Sequence, residues 1–158
     1  MSGQPIQFEF RTGLKSGRDE IHAGSFLRNR RIAFDAALAH DPREFARILV
    51  HELFHFTWLR LGNPRRRSYE ELVAAEVRSR VRGELGWSAE WRKKALLPGD
   101  LECRGRRWRE YLCESFCDTA AFLYSGVASH PEYTLALRSR GARRLWFEGS
   151  GLAKRISI

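Results

Sequence analysis

Apolar and polar residues alternate from Ile6 to Phe10 (Ile-Gln-Phe-Glu-Phe), the two-residue period of a half-buried strand. The stretch from Ile21 to Leu38 reads as a hairpin. Its strands lie near 20–28 and 31–36, with the turn at Arg28-Asn29-Arg30. From Asp41 the period lengthens to that of a helix. Asp41 can cap, Pro42 suits the first helical position and Glu44 completes a capping box. This helix covers 42–61, and Gly62 and Pro64 are expected to stop it. A second capping box, Ser68-Tyr69-Glu70-Glu71, predicts a helix from Ser68 to about Leu85. Ser88 opens a shorter helix through about Leu96, and Pro98-Gly99 closes it. Another helix is expected over 106–125, before Gly126. A last one starts in Ser129-His130-Pro131-Glu132 and runs to Phe147, with a break near Gly141.

Strands first and helices after give an α+β fold. The expected architecture is a small N-terminal antiparallel sheet or hairpin (5–36) packed on the helix over 42–61, followed by a mostly helical C-terminal part. The chain has 158 residues, 43% of them apolar, which suits one domain spanning 1–158 with one core. No run of about 18 apolar residues is present, so no membrane span is expected. The first residues lack the basic-then-apolar layout of a secretory signal, which makes the cytoplasm the expected location. Three cysteines, Cys103, Cys113 and Cys117, do not make a disulfide framework.

The helix over 42–61 carries His51-Glu52-Leu53-Phe54-His55, an HExxH. Histidines at i and i+4 project from one face, one turn apart. Both imidazoles can reach one Zn2+ at about 2.0–2.1 Å. Glu52 sits to the side of that face and can reach a water on the metal without ligating it. Metal-assisted hydrolysis needs this division: zinc lowers the pKa of the water, and a glutamate takes its proton. Chance supplies an HExxH in a chain of this length on the order of once in 200. This one lies in a capped, apolar helix, where two histidines and a glutamate are costly to bury without partners.

An open tetrahedral site needs a third protein ligand. Glu114 is the best candidate. Asp118 lies one turn beyond it and can accept the free ring N–H of a ligating histidine. Glu70, Glu71, Glu76 and Glu110 are rivals, each also accounted for as an ordinary helix-surface or capping charge. The Glu114–Asp118 spacing together with the HExxH resembles the gluzincin class of zinc metallopeptidases. The segment Cys-Glu-Ser-Phe-Cys-Asp-Thr-Ala-Ala-Phe-Leu-Tyr (113–124) is similar to the corresponding helix of small soluble ImmA/IrrE-type metallopeptidases. The long insertion between the two motifs resembles the CAAX-processing gluzincins, whose membrane spans this chain lacks. The resemblance covers roughly residues 31–126. It implies a zincin-like fold with one Zn2+ per chain and a peptide or protein substrate paired along an edge strand, 20–28 or 31–36. It also implies a downstream Tyr or His to stabilise the oxyanion. Tyr133 and His130 are the candidates, with Tyr111 and Tyr124 behind them.

Cys113 and Cys117 flank Glu114 and are expected as small core residues. The net charge is +9, with arginine clusters at 65–67, at 104, 106, 107 and 109, and at 138, 140, 143 and 144. A solvated surface accounts for them. The alternative is a nucleic-acid-associated or regulatory protein that uses a zincin scaffold mainly for binding. Arg138 and Arg140 are further candidates for holding a substrate carboxylate.

Overall fold

The computed structural model describes residues 4–16 and 19–152 and is α+β, with a small sheet followed by six helices. The strands are β1 (Gln7–Arg11), β2 (Lys15–Ser16), β3 (Asp19–Glu20), β4 (Ala23–Phe26) and β5 (Arg31–Asp35). The helices are α1 (Pro42–Arg60), α2 (Asn63–Arg78), α3 (Trp87–Lys94), α4 (Asp100–Cys103), α5 (Arg106–Tyr124) and α6 (Leu137–Gly149). Among the described residues no helix is long and apolar enough to cross a membrane.

The main sheet has the order β1-β5-β4. β4 and β5 form the expected hairpin, in which Arg30 takes a left-handed conformation (φ 47°) after a turn of 3-10 helix. The expected all-antiparallel arrangement is corrected at β1, which runs parallel to β5. The first hairpin strand is also shorter than 20–28. β3 turns back on β2 instead, and β4 begins at Ala23. Ile32 and Phe34 are fully buried against Ile48 and Phe56 of α1. Phe8 and Phe10 share that sheet face, yet both remain half exposed, because β1 lies at the edge.

α1 is held between this sheet and a larger core of helices. Asp41 caps it, accepting from the backbone N–H groups of Arg43 and Glu44. Phe54 packs with Tyr69 of α2, Phe116 of α5 and Phe147 of α6. Gly62 and Pro64 end α1 as expected, but Pro64 sits in the first turn of α2, where its missing N–H costs nothing. The expected start at Ser68 is therefore five residues late. The helix also ends earlier than Leu85, at Arg78. The expected helix from Ser129 to Phe147 begins only at Leu137, and Gly141 lies inside it without a break. The backbone N–H groups of Thr134 and Leu135 donate to the Glu84 carbonyl (2.8 and 2.9 Å), which holds that stretch out of the helix. This close approach requires a glycine. Gly83 has φ +75°, and a Cβ there would lie 2.3 Å from the Thr134 carbonyl oxygen.

A buried ion network ties α2, α5 and α6 together. Arg143 of α6, assigned to the surface by its sequence cluster, is fully buried. Its Nη2 donates to Glu76 Oε2 at 2.6 Å and its Nη1 to Glu84 Oε2 at 2.8 Å. Glu84 Oε1 also accepts from Tyr111 Oη (2.5 Å) and Lys93 Nζ (3.0 Å). Burial pushes the Glu84 carboxyl up, but Arg143, Lys93 and Tyr111 more than offset that and hold it below its usual range. Replacing Glu84 by Gln should lower stability by about 3–5 kcal/mol, because Arg143 loses one of its two buried partners. A carboxyl lowered by folding contributes stability above its unfolded pKa of about 4.5 and loses it as pH falls through the folded value. Urea midpoints measured from pH 7 downward should therefore fall below about pH 4.5, and fall less steeply in Glu84→Gln.

Candidate metal centre

α1 divides its functional side chains between two neighbours. His51 and His55 turn to α5, where they meet Asp118, Glu114 and Cys113. Glu52 turns to the sheet, where Ser25 of β4 donates to its Oε2 at 2.5 Å and lies 3.0 Å from its backbone carbonyl. The split follows from the helical period: Ile48, Glu52 and Phe56 share the sheet side, while His51 and His55 occupy the next stripe.

Each histidine is held through Nδ1. His51 Nδ1 lies 2.7 Å from Asp118 Oδ1, and His55 Nδ1 lies 3.4 Å from Cys113 Sγ. The two Nε2 atoms then converge to 3.2 Å. With Nδ1–H donating on both rings, both Nε2 lone pairs face one another. That arrangement suits a cation between or beside them, either a shared proton or a metal ion. Glu114 Oε2 completes a triangle, 3.3 Å from His51 Nε2 and 4.0 Å from His55 Nε2. Its other oxygen is engaged by Arg92 of α3 at 3.3 Å. Donor atoms on a tetrahedral zinc, with bonds of about 2.0–2.1 Å, stand about 3.3–3.4 Å apart. His51, His55 and Cys117 also form a group whose donor atoms lie within 4.8 Å of one another and could hold a metal ion. Cys117 as a candidate donor was not read from the sequence. Its i+3 spacing from Glu114 was the available signal.

The charges of the centre are mutually dependent. Burial alone would push the His51 pKa down, but Asp118 and Glu114 raise it well above 6.5. Burial would raise Glu114, yet the two histidines and Arg92 bring its carboxyl down to about 2. The Cys113 thiol falls to about 6, chiefly through the hydrogen bond from Cys117 and then through His55, while burial pushes Cys117 well up.

A cavity of about 380 Å3 opens beside α1, lined among others by Glu20, His22, Arg47, His51, Glu52 and Trp87. Asp118 also reaches its wall, whereas His55, Glu114 and Cys117 do not. Neither Tyr133 nor His130 lines it. Tyr133 packs in a separate cluster with Leu85, Val127 and Leu135, and His130 pairs with Glu44 at 3.1 Å. The polar groups that do reach the cavity, His22 and Arg47, were missed. Arg47 lies one turn before His51, buried and paired with Glu44 (2.5 Å) and Glu132 (3.0 Å). Its i−4 spacing from His51 was the signal. The rival carboxylates are committed elsewhere: Glu70 to Arg104 and Trp108, Glu76 to Arg143, and Glu110 to Arg106. Glu71 appears in none of the contacts of the centre.

No family model, curated protein or solved structure matches this chain.

Asp118 sits where only a glycine lets it. A Cβ on Gly86 would lie 2.2–2.4 Å from its carboxylate. Gly86→Ala should displace that carboxylate and cost about 1–3 kcal/mol. Asp118→Asn should weaken metal binding by about 10–100-fold, as the loss of a partner behind a ligating histidine does. Competition with a chromophoric chelator measures the affinity, and a urea titration measures the stability.

Proposed function

We propose that this protein is a zinc-dependent hydrolase of peptide bonds, built as a minimal zincin-like fold with His51, His55 and Glu114 holding one Zn2+. The observation that carries the reading is the convergence of two Nε2 atoms and one carboxylate oxygen at 3.2, 3.3 and 4.0 Å, with His51 of that group lining the same cavity as Glu52. A zinc ion held by these three residues would supply a Lewis acid able to acidify a water and polarise a carbonyl.

The chain's own groups have distinct tasks. Glu52 takes a proton from the attacking water and returns it to the leaving amine. Ser25 fixes the Glu52 carboxylate by donating to it. Asp118 and Cys113 hold the two imidazoles in the Nδ1–H tautomer, which leaves both Nε2 atoms free as donors to the metal. Arg92 orients Glu114. β4 is the edge strand nearest α1, and Ala23 at its start lines the cavity. An extended peptide can therefore add to the sheet there. Arg47 and His22 line the cavity and are the groups we favour for meeting the developing oxyanion, ahead of Tyr133 and His130.

A second reading rests on Cys117. If Cys117 ligates together with Glu114 and both histidines, four protein ligands close the site and the metal is structural. The nucleic-acid alternative is weaker. Arg143 is buried, Arg104 and Arg106 are paired with glutamates, and Arg66 donates to the Trp58 and Leu59 carbonyls at the end of α1.

Elemental analysis of wild type, His55→Ala, Glu114→Ala and Cys117→Ser separates the two metal readings. The expected result is about one zinc per chain in wild type and in Cys117→Ser, and none in the other two. Loss in Cys117→Ser as well as Glu114→Ala would establish the closed site. Glu52→Gln should keep its zinc and lose cleavage of a mixed peptide library followed by mass spectrometry. Cleavage retained in that variant would remove Glu52 from the mechanism.

A further inference from the structure

β1 is the second edge of the sheet, on the side away from β4, and among the described residues no strand pairs with its outer side. Gln7 N–H donates to the Arg30 carbonyl at 2.8 Å. In this parallel register Gln7, Glu9 and Arg11 spend their backbone groups on β5, so Phe8 and Phe10 direct theirs outward. The same two residues carry the exposed apolar surface of this edge, at 53% and 52% exposure. Their rings lean on Phe34 (6.1 and 5.6 Å), and Phe10 also touches Phe45 (5.8 Å), but among the described residues none covers their outer sides. Edges that must stay single are usually blunted by proline, lysine or a bulge. β1 has no proline or lysine within Gln7–Arg11, its two charges, Glu9 and Arg11, pair with each other at 3.0 Å, and its register with β5 is continuous.

We propose that β1 pairs with β1 of a second copy of this chain, antiparallel about a two-fold axis at Phe10. The choice of register follows from the charges. Only Phe8, Phe10 and the positions in phase with them can exchange backbone hydrogen bonds across the edge. Centring on Phe10 sets Phe10 against itself and Phe8 against Thr12. It also sets Glu9 against Arg11 of the second copy, twice, in the closely spaced pairs where side chains meet, so that the Glu9–Arg11 pair each chain makes internally (3.0 Å) is exchanged for one across the edge. Centring on Glu9 would put Glu9 against Glu9. Centring on Phe8 would set Glu9 against Gln7 and form no ion pair. The two-fold axis makes the contact self-complementary and closed, so assembly stops at the dimer. A six-stranded sheet results, with the exposed phenylalanines of both copies on one face and the Glu9–Arg11 pairs on the other. β4 lies at the opposite edge in each copy, so both cavities stay open.

Sedimentation equilibrium over the micromolar range tests this. Wild type should move from 18.4 kDa toward twice that mass as concentration rises. Phe10→Glu should remain monomeric, with an unchanged far-ultraviolet circular dichroism spectrum. Glu9→Arg and Arg11→Glu should each weaken the dimer tenfold or more, and the double swap Glu9→Arg/Arg11→Glu should restore it. The swap decides the matter even if Phe10→Glu fails to fold. A wild type that stays monomeric overturns the proposal and leaves the edge to a different chain. So does a dimer that survives Phe10→Glu, or single charge variants that dimerise as wild type does.

Discussion

The carboxylate of Asp118 is the point at which the candidate metal centre is assembled. One oxygen holds His51 Nδ1 and the other accepts the backbone N–H of Ala89 at 2.9 Å. It also fills the space that a side chain at Gly86 would need. Three helices therefore meet on one buried charge: α1 through His51, α5 through Asp118 itself, and α3 through its first turn. An ionised group in that position is tolerable only because every partner is present. α3 brings more than its backbone to this junction. Once it is seated, Arg92 reaches Glu114, and Trp87 and Ser88 become part of the cavity wall. A change at Asp118 would be felt at the imidazole, at the orientation of Glu114 and at the mouth of the cavity together.

α5 joins this junction to a second polar interior. On one stripe Glu114, Cys117 and Asp118 face α1. On another Tyr111, Ser115 and Thr119 face the Arg143 network, with Ser115 and Thr119 3.0 and 3.2 Å from the Tyr69 hydroxyl. Ion pairs buried this deeply contribute little net stability compared with apolar packing, but they are intolerant of misplacement. Two such systems on one helix fix its rotation and its depth. The stacking of Phe116 on Phe147 at 5.0 Å supplies the apolar adhesion between α5 and α6. A site that needs several donor atoms to converge within about 4 Å depends on such a fixed helix rather than on a loop.

Much of this was legible in the sequence, for an identifiable reason. α1 and α5 are long and strongly periodic, and their ends carry cap and stop residues. Their bounds were read to within a residue, and His51, His55, Glu114 and Asp118 do meet. What the sequence did not disclose depends on partners distant along the chain. Alternation in β1 predicts a strand but not which strand it joins, so the parallel pairing with β5 was invisible, and with it the exposure of Phe8 and Phe10. Pro64 reads equally as the end of one helix or the start of the next. Residues 129–136 carry a helix-start pattern that loses to the Glu84 carbonyl, a competitor more than 40 residues away. Tyr133 and His130, the residues expected to meet the oxyanion, belong to that displaced segment and lie outside the cavity lining. Ser25, Arg47 and Arg92 were missed for the same reason. Each is an ordinary polar residue until the fold sets it beside Glu52, His51 or Glu114.

The choice between Glu114 and Cys117 as third donor turns on the state in which each waits. Both face α1, three residues apart on α5, so the helix presents them to the same histidines. The Glu114 oxygen is already within 3.3 and 4.0 Å of the two Nε2 atoms, and its carboxyl, lowered to about 2, is ionised throughout the physiological range. Cys117 is fully buried and its thiol is pushed well up, so it holds its proton and donates to Cys113. Recruiting Glu114 to a metal needs neither proton release nor a new rotamer. Recruiting Cys117 needs loss of a proton from a buried thiol and loss of the hydrogen bond that stabilises Cys113 beside His55 Nδ1. A metal ion can drive that deprotonation, but only at a cost to its binding free energy. On the proposed reading these differences favour Glu114 over Cys117 as the third donor to a metal, with Cys117 supporting the imidazole of His55 through Cys113.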